Sequence, residues 1–418
     1  MESYTVILLF IALMIIVSGI ADKIKLSVPV LLLVVGIAIG FVPALPKIEL
    51  NPEIIMLLFL PPILYDAAFN ISFKDFKTNF NTISTLAIGL VFLTTVGIAT
   101  VAHYMIPGME WPLAFVLGAI LSATDAVAAM GITKGLGLSH KIVAILEGES
   151  LINDASALIA YRFAIAAVSG ATFVWWEAVE DFAVVLGGGV LVGVIIAKIL
   201  GFLLRFFHNN DMVIIGLMLL MPFVTYLVAE HFQVSGVIAV VILGLGMSRL
   251  SREKFPEKIK TQSKHFWDII IFMLNGFIFL LIGLQFPLIL ERMNPAEIWP
   301  YTGYAAIITC VALGIRLIRV YMQQFNLERA FKNIRRKRKI SEDALFDTRT
   351  SFIITWSGMR GIVSLAIAIG LPMVIEGEIP FHMRNEIIFL SIAVVVFSVI
   401  GQGLSLPWVV KKISKHQG

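Results

Sequence analysis

The sequence predicts an all-α polytopic membrane protein of about thirteen transmembrane helices, arranged as inverted six-helix repeats around a central span. Three observations carry that expectation. Of 418 residues, 59% are hydrophobic and 14% charged, a balance too apolar for a water-soluble domain. Apolar runs of the roughly 20 residues needed to cross about 30 Å of hydrocarbon recur from residue 4 to residue 412. The loops between them alternate in charge.

Span one, 4–21, ends at Asp22 and Lys23; its start, "MESY", lacks the basic region of a secretory signal, so a retained span is expected. Span two, 26–43, follows Lys25 and stops at Pro43, and span three, 52–71, precedes Lys74 and Lys77. Spans four, 82–105, and five, 111–133, are separated by the turn "PGME", and span six, 140–168, follows Lys134. Span seven, 181–205, lies between Glu177/Glu180 and Arg205; spans eight, 211–230, and nine, 234–249, flank "EHFQ". Span ten, 265–287, follows "SREKFPEKIKTQSK", and span eleven, 299–324, leads into "ERAFKNIRRKRK". Spans twelve, 350–374, and thirteen, 385–410, flank Glu376 and Glu378.

Alternation places the basic loops together on one side, which marks the cytoplasm, and Glu110, Glu230 and Glu291 opposite. The amino terminus is then expected outside and the carboxyl terminus inside, in the cell membrane. The net charge of +4 belongs to those loops, so membrane orientation accounts for it and a nucleic-acid partner is not expected. Cys310 is the single cysteine, which excludes an intrachain disulfide. No Gly/Ser-rich linker divides residues 1–418, so one membrane domain is expected, without a nucleotide-binding domain.

An odd central span forces two six-span copies to enter the membrane oppositely, the inverted-repeat architecture of secondary transporters. Spans five and twelve hold equivalent places in the two copies. Both are interrupted by polar residues, "SATDAVAAMG" in the first and "TWSGMRGIVS" in the second.

An ionisable residue at the bilayer centre costs roughly 2.5–3.5 kcal/mol on insertion scales, so several in one chain point to function. Asp125, Asp154, Arg316 and Arg360 fall near mid-depth, Glu149 about a turn away, and Asp66 in the inner half of span three. In "ESLIND", Ser150 and Asp154 share a helix face, as do Glu149 and Asn153. A hydroxyl beside a carboxylate suits a hard cation such as Na⁺, and the carboxylate can take a proton instead. A break at Thr124 and Asp125 would expose backbone groups, with Asp125 stabilised by helix amino-terminal ends and Arg360 by carbonyl ends. Arg316 needs a partner, and Glu149 is the carboxylate left over. Arg319 is expected to snorkel to the cytoplasmic surface, and Glu147 to be solvated. "GIAIG" in span two and "LGGGVLVG" in span seven read as small-residue packing faces.

The motifs "LPPILYDAAF", "SATDAVAAMG", "EGESLINDASAL", "GIRLIRV" and "SGMRGIVSLAI", in that order along nearly the whole chain, resemble the monovalent cation/proton antiporter family, in its NhaP-like and sodium/proton exchanger branch. The resemblance implies an NhaA-like antiporter fold with two crossed, broken helices. It further implies a homodimer with a core at about 82–168 and 299–410 against a scaffold at about 4–71 and 181–287. Asp154 would then carry the cation or the proton, with Ser150, Thr124 and Asp66 as further cation ligands and Na⁺ at Asp154, Ser150 and Thr124. Asn153 would steady the crossover, Asp125 and Arg360 would balance the crossed helix ends, and Glu149 with Arg316 would form a buried ion pair. Asp66 stands where relatives often carry Glu.

The expected function is Na⁺/H⁺ antiport by alternating access, electroneutral at one ion for one proton, with no cofactor and with lipid as surroundings. K⁺/H⁺ antiport by the same machinery is the alternative, with Li⁺ as a further cargo. A passive channel would need a filter of carbonyls or charges, and no such run occurs. An enzyme is not expected, since neither H-E-x-x-H nor a cysteine nucleophile arrangement is present and Ser150 has no histidine near it in sequence.

Overall fold

The computed structural model describes residues 3–24, 28–42, 52–71, 73–125, 140–170, 175–208, 210–332, 348–375 and 379–414. Among them are fourteen helices. In chain order these are α1 (Ser3–Ile24), α2 (Val28–Gly40), α3 (Pro52–Asn70), α4 (Phe73–Met105), α5 (Trp111–Ser122), α6 (His140–Val168) and α7 (Trp175–Phe206). Then follow α8 (Asp211–His231), α9 (Gly236–Lys254), α10 (Glu257–Arg292), α11 (Pro295–Lys332), α12 (Thr348–Trp356), α13 (Ile362–Ile369) and α14 (Arg384–Ser414). A short antiparallel ribbon, β1 (Val374–Ile375) with β2 (Ile379–Pro380), joins α13 to α14 and has no counterpart in the all-helical expectation.

Seven of the described helices are long and apolar enough to cross a membrane, and four others carry shorter, predominantly apolar stretches. The expected count of about thirteen is reached with α9, whose last turn carries Arg252, Glu253 and Lys254, and with α12 and α13 as the halves of one interrupted span. Several helices outrun the apolar windows, notably α10 at 36 residues and α11 at 38. Hydropathy marks only the hydrocarbon-compatible stretch, while good helix formers such as Glu, Lys and Arg carry the helix beyond it. The second half of span five with the loop that follows it, residues 126–139, and the basic run beyond Lys332 lie outside the described residues, as do Lys25, Glu376 and Glu378.

Local chemistry sets the helix limits. Asn210 and Ser235 cap α8 and α9 by accepting from the N–H groups of Val213 and Ile238, each at 3.2 Å. Close packing relies on glycine, because helices in lipid associate through surface fit and not through exclusion of water. A Cβ on Gly36 of α2 would stand 2.5 Å from the Leu280 carbonyl of α10, and one on Gly283 would stand 2.5 Å from the Leu33 carbonyl. Gly193 of α7 approaches Ala239 of α9 equally closely, so both predicted small-residue faces are packing faces.

α4 packs on α5, α6 and α11, and α11 on α12 and α14. Another set of neighbours joins α2 to α10 and α9 to α7, α3 and α8. Arg162 of α6 forms an ion pair with Glu230 of α8 across these two sets. Large apolar side chains such as Leu191, Phe202 and Ile318 face outward, as expected of a protein solvated by lipid. The molecule is an integral membrane protein.

Candidate functional site

Two non-helical segments meet, one just past the end of α5 and one in the gap that interrupts span twelve. Helix α5 ends at Ser122 and the backbone turns extended at Ala123; α12 ends at Trp356 and α13 begins only after Gly361. Each half-helix leaves backbone groups without an intrahelical partner, and the two segments satisfy one another. The Asp125 N–H donates to the Met359 carbonyl at 2.7 Å. The Ile362 N–H, in the first turn of α13, donates to Asp125 Oδ2 at 3.2 Å. In return Arg360 Nε donates to the Leu121 carbonyl in the last turn of α5 at 3.1 Å, and Ser364 Oγ donates to the Ala123 carbonyl at 3.3 Å. An acid thus meets the positive end of one half-helix and a guanidinium the negative end of the other. The approach requires glycine: a Cβ on Gly361 would lie 2.0 Å from Asp125 Oδ2.

Helix α6 lays its polar face against this crossing. Ser150 Oγ donates to the Thr124 carbonyl at 2.7 Å, and Asn153 Nδ2 donates to Thr124 Oγ1 at 2.8 Å. One turn on from Ser150 stands Asp154, 7% exposed, whose Oδ1 is buried and has no hydrogen-bond partner among the described residues. Asn153 Oδ1 is also buried and without a partner among the described residues. Oxygens removed from water and left without a donor are costly unless a cation or a proton supplies what is missing. Asp154 also lies within electrostatic reach of Asp125.

Glu149, on the neighbouring face of α6, is 1% exposed and receives both arms of Arg316 from α11, at 2.5 and 3.0 Å. Arg316 donates in addition to the Ile354 carbonyl near the end of α12, at 3.2 and 3.0 Å. The pair therefore braces α6, α11 and α12 together and has no charge left over. A Cβ on Gly358 would strike this guanidinium at 2.0 Å.

Asp66 stands apart. Its Oδ1 accepts from Asn70 Nδ2 one turn on at 2.9 Å, and it feels the charges of Asp268 and Glu147. Among the described residues no hydrogen bond joins it to Thr124, Ser150 or Asp154. Glu147 is half-buried rather than freely solvated, because α6 continues past it against α4. Arg319 does not simply extend to a surface; its Nη2 donates to the Thr85 carbonyl of α4 at 2.9 Å. Sequence reasoning missed Ser364, Ser398 and Gln402, which also serve the interrupted spans. Uncharged polar residues carry little insertion cost, so nothing in the sequence separates them from ordinary helix-packing hydroxyls and amides.

Crossed, interrupted helices around a buried carboxylate define a secondary transporter of the antiporter fold. The chain belongs to the sodium/hydrogen exchanger family, whose transmembrane description matches residues 8–412. It is 34% identical to the sodium, potassium, lithium and rubidium/H⁺ antiporter of Bacillus pumilus over 100% of this chain, spanning 62% of that relative's length. It is 31% identical to the Na⁺/H⁺ antiporter NhaH of Halobacillus aidingensis over 97% of both chains. In fold it resembles the sodium proton antiporter MjNhaP1 of Methanocaldococcus jannaschii, with a TM-score of 0.72, 21% identity and 97% of each chain covered. The family and fold expected from the five motifs are therefore those the chain has.

Proposed function

We propose that the protein is an electroneutral sodium/proton antiporter in which Asp154 carries Na⁺ in one direction and H⁺ in the other by alternating access. The observation that carries this reading is the buried Oδ1 of Asp154, which has no hydrogen-bond partner among the described residues. Ser150, one turn before Asp154 on α6, and Thr124, which is bonded to Ser150 and Asn153, would add oxygens of the kind a hard monovalent cation accepts. Li⁺ and K⁺ are further candidate cargoes, in keeping with the cations named for the Bacillus relative.

Stoichiometry follows from which charges are free to change. Glu149 is held by Arg316, and Asp125 by the start of α13. Asp154 then crosses as a neutral ion pair with Na⁺ or as a neutral acid, so the membrane potential does no work on the cycle. Asp66, expected as a further cation ligand, is left out of the carried state in this scheme, because its carboxylate is bonded to Asn70 and, among the described residues, to none of Thr124, Ser150 and Asp154. The moving body would be the core at about 82–168 and 299–410, and the scaffold at about 4–71 and 181–287 would form a homodimer in the cell membrane, amino terminus outside and carboxyl terminus in the cytoplasm.

Proteoliposomes with an imposed pH gradient test the reading, with Na⁺, Li⁺ or K⁺ added in turn and the potential set at zero or strongly negative. Cation-dependent proton movement at equal rates under both potentials is expected. Rates that climb with potential would overturn the one-carboxylate account, and cation flux without proton movement would indicate a channel.

A further inference from the structure

Helix α14 carries two polar side chains one turn apart, Ser398 and Gln402, 0% and 5% exposed. Both point at the interruption in span twelve. Ile353 is the last carbonyl of α12 to keep its helical partner, and the three after it are accounted for individually. Ile353 accepts from the Ser357 N–H at 2.9 Å, Ile354 from Arg316, and Thr355 from the Gly358 N–H at 3.3 Å. The Trp356 carbonyl accepts from Gln402 Nε2 at 3.2 Å. On the other side of the gap, the Arg360 N–H donates to Ser398 Oγ at 3.1 Å, and the Ser398 hydroxyl donates to Gln402 Oε1 at 2.6 Å.

These bonds form one directed relay from the Arg360 N–H through Ser398 and Gln402 to the Trp356 carbonyl. Only one orientation of the Gln402 amide serves it, because the flipped amide would set its oxygen against the Trp356 carbonyl. The relay spans the non-helical segment 357–361 like a clasp, fixing its two ends against a single helix. That segment presents the Met359 carbonyl and the Ile362 N–H to Asp125, whose charge in turn acts on Asp154.

We propose that Ser398 and Gln402 are positioning residues for cation exchange: without touching the cation, they hold the unwound segment of span twelve in the register that seats Asp125. The inference rests on the exchange reading above and adds to it residues that neither the motifs nor the crossing itself supplies. Loss of the clasp lets the segment shift, moves the Asp125 carboxylate relative to Asp154, and changes how cation and proton compete there. A side chain that only filled space would leave that competition untouched.

The test uses the full-length chain in proteoliposomes, comparing wild type with Ser398→Ala, Ser398→Thr and Gln402→Leu at matched amounts of folded protein. Ser398→Ala and Gln402→Leu should each raise the apparent KM for Na⁺ roughly three- to tenfold, the scale of one or two buried hydrogen bonds. They should also displace the pH of half-maximal exchange while leaving the maximal rate within about twofold. Ser398→Thr, which keeps the hydroxyl, should retain the wild-type KM. If alanine at 398 prevents folding, Gln402→Leu carries the same comparison, since it leaves the Ser398 contact with Arg360 in place. An unchanged KM and pH profile in a folded clasp variant, or a fall in maximal rate alone, overturns the clasp and leaves the exchange reading standing. A wild-type protein that moves no protons with any alkali cation overturns both.

Discussion

Replacing Arg316 by alanine should destabilise the protein severely, and replacing Glu149 in the same molecule should restore part of the loss. Arg316 and Glu149 are each 1% exposed. The guanidinium makes two bonds to the carboxylate, at 2.5 and 3.0 Å, and two to the Ile354 carbonyl, at 3.2 and 3.0 Å. Alanine strands a carboxylate in a dry interior, which typically costs about 3–5 kcal/mol. The Ile354 carbonyl loses its donor as well, adding about 1–3 kcal/mol. Glu149→Gln alone strands the guanidinium at a similar cost. With both changes neither partner of the pair leaves a stranded charge, so the double variant should recover roughly 2 kcal/mol relative to the sum of the singles. The assay is a thermal double-mutant cycle on detergent-solubilised protein, followed by tryptophan fluorescence and by the fraction recovered monodisperse after heating. Strict additivity of the four melting temperatures would refute the pairing as the source of the stability.

The remaining expectations concern transport. Asp154→Asn keeps size and one acceptor oxygen but removes the titrating group, so a folded protein with no cation-dependent proton movement is expected; retained exchange in vesicles would remove Asp154 from the role of carrier. Na⁺ and H⁺ contend for one carboxylate, so the apparent KM for Na⁺ should rise as pH falls on the acid limb, approaching about tenfold per pH unit, and a KM independent of pH there would contradict competition. Gly361→Ala sets a methyl where Asp125 Oδ2 now lies and should cut exchange about tenfold or more, checked by initial rates at saturating Na⁺. A wild-type rate in that variant would show that the seat of Asp125 is not critical.

Much of this molecule was legible without coordinates, for a reason particular to membranes. Hydrocarbon solvates no backbone polar group and few charges, so the spans and the exceptional residues Asp125, Asp154, Arg316 and Arg360 stand out by composition alone. Five motifs in order were enough to indicate the family, since each joins such a residue to the small neighbours it needs. The ends of the helices were less legible: α10 and α11 continue through charged residues that the apolar windows excluded.

What the sequence determined by itself is therefore the list of groups that must be satisfied away from water, and the spans that carry them. Which partner satisfies each was decided by the tertiary structure. Glu149 and Arg316 are separated by 167 positions, and Asp125 and Ile362 by 237, so their meeting depends on how distant helices cross. The same holds for Ser398 and Gln402, whose polarity is unremarked in an apolar span until the gap after Trp356 is seen beside them. A hydrogen bond is a relation between two places in space, and along a chain folded this way those places have no local sequence signal.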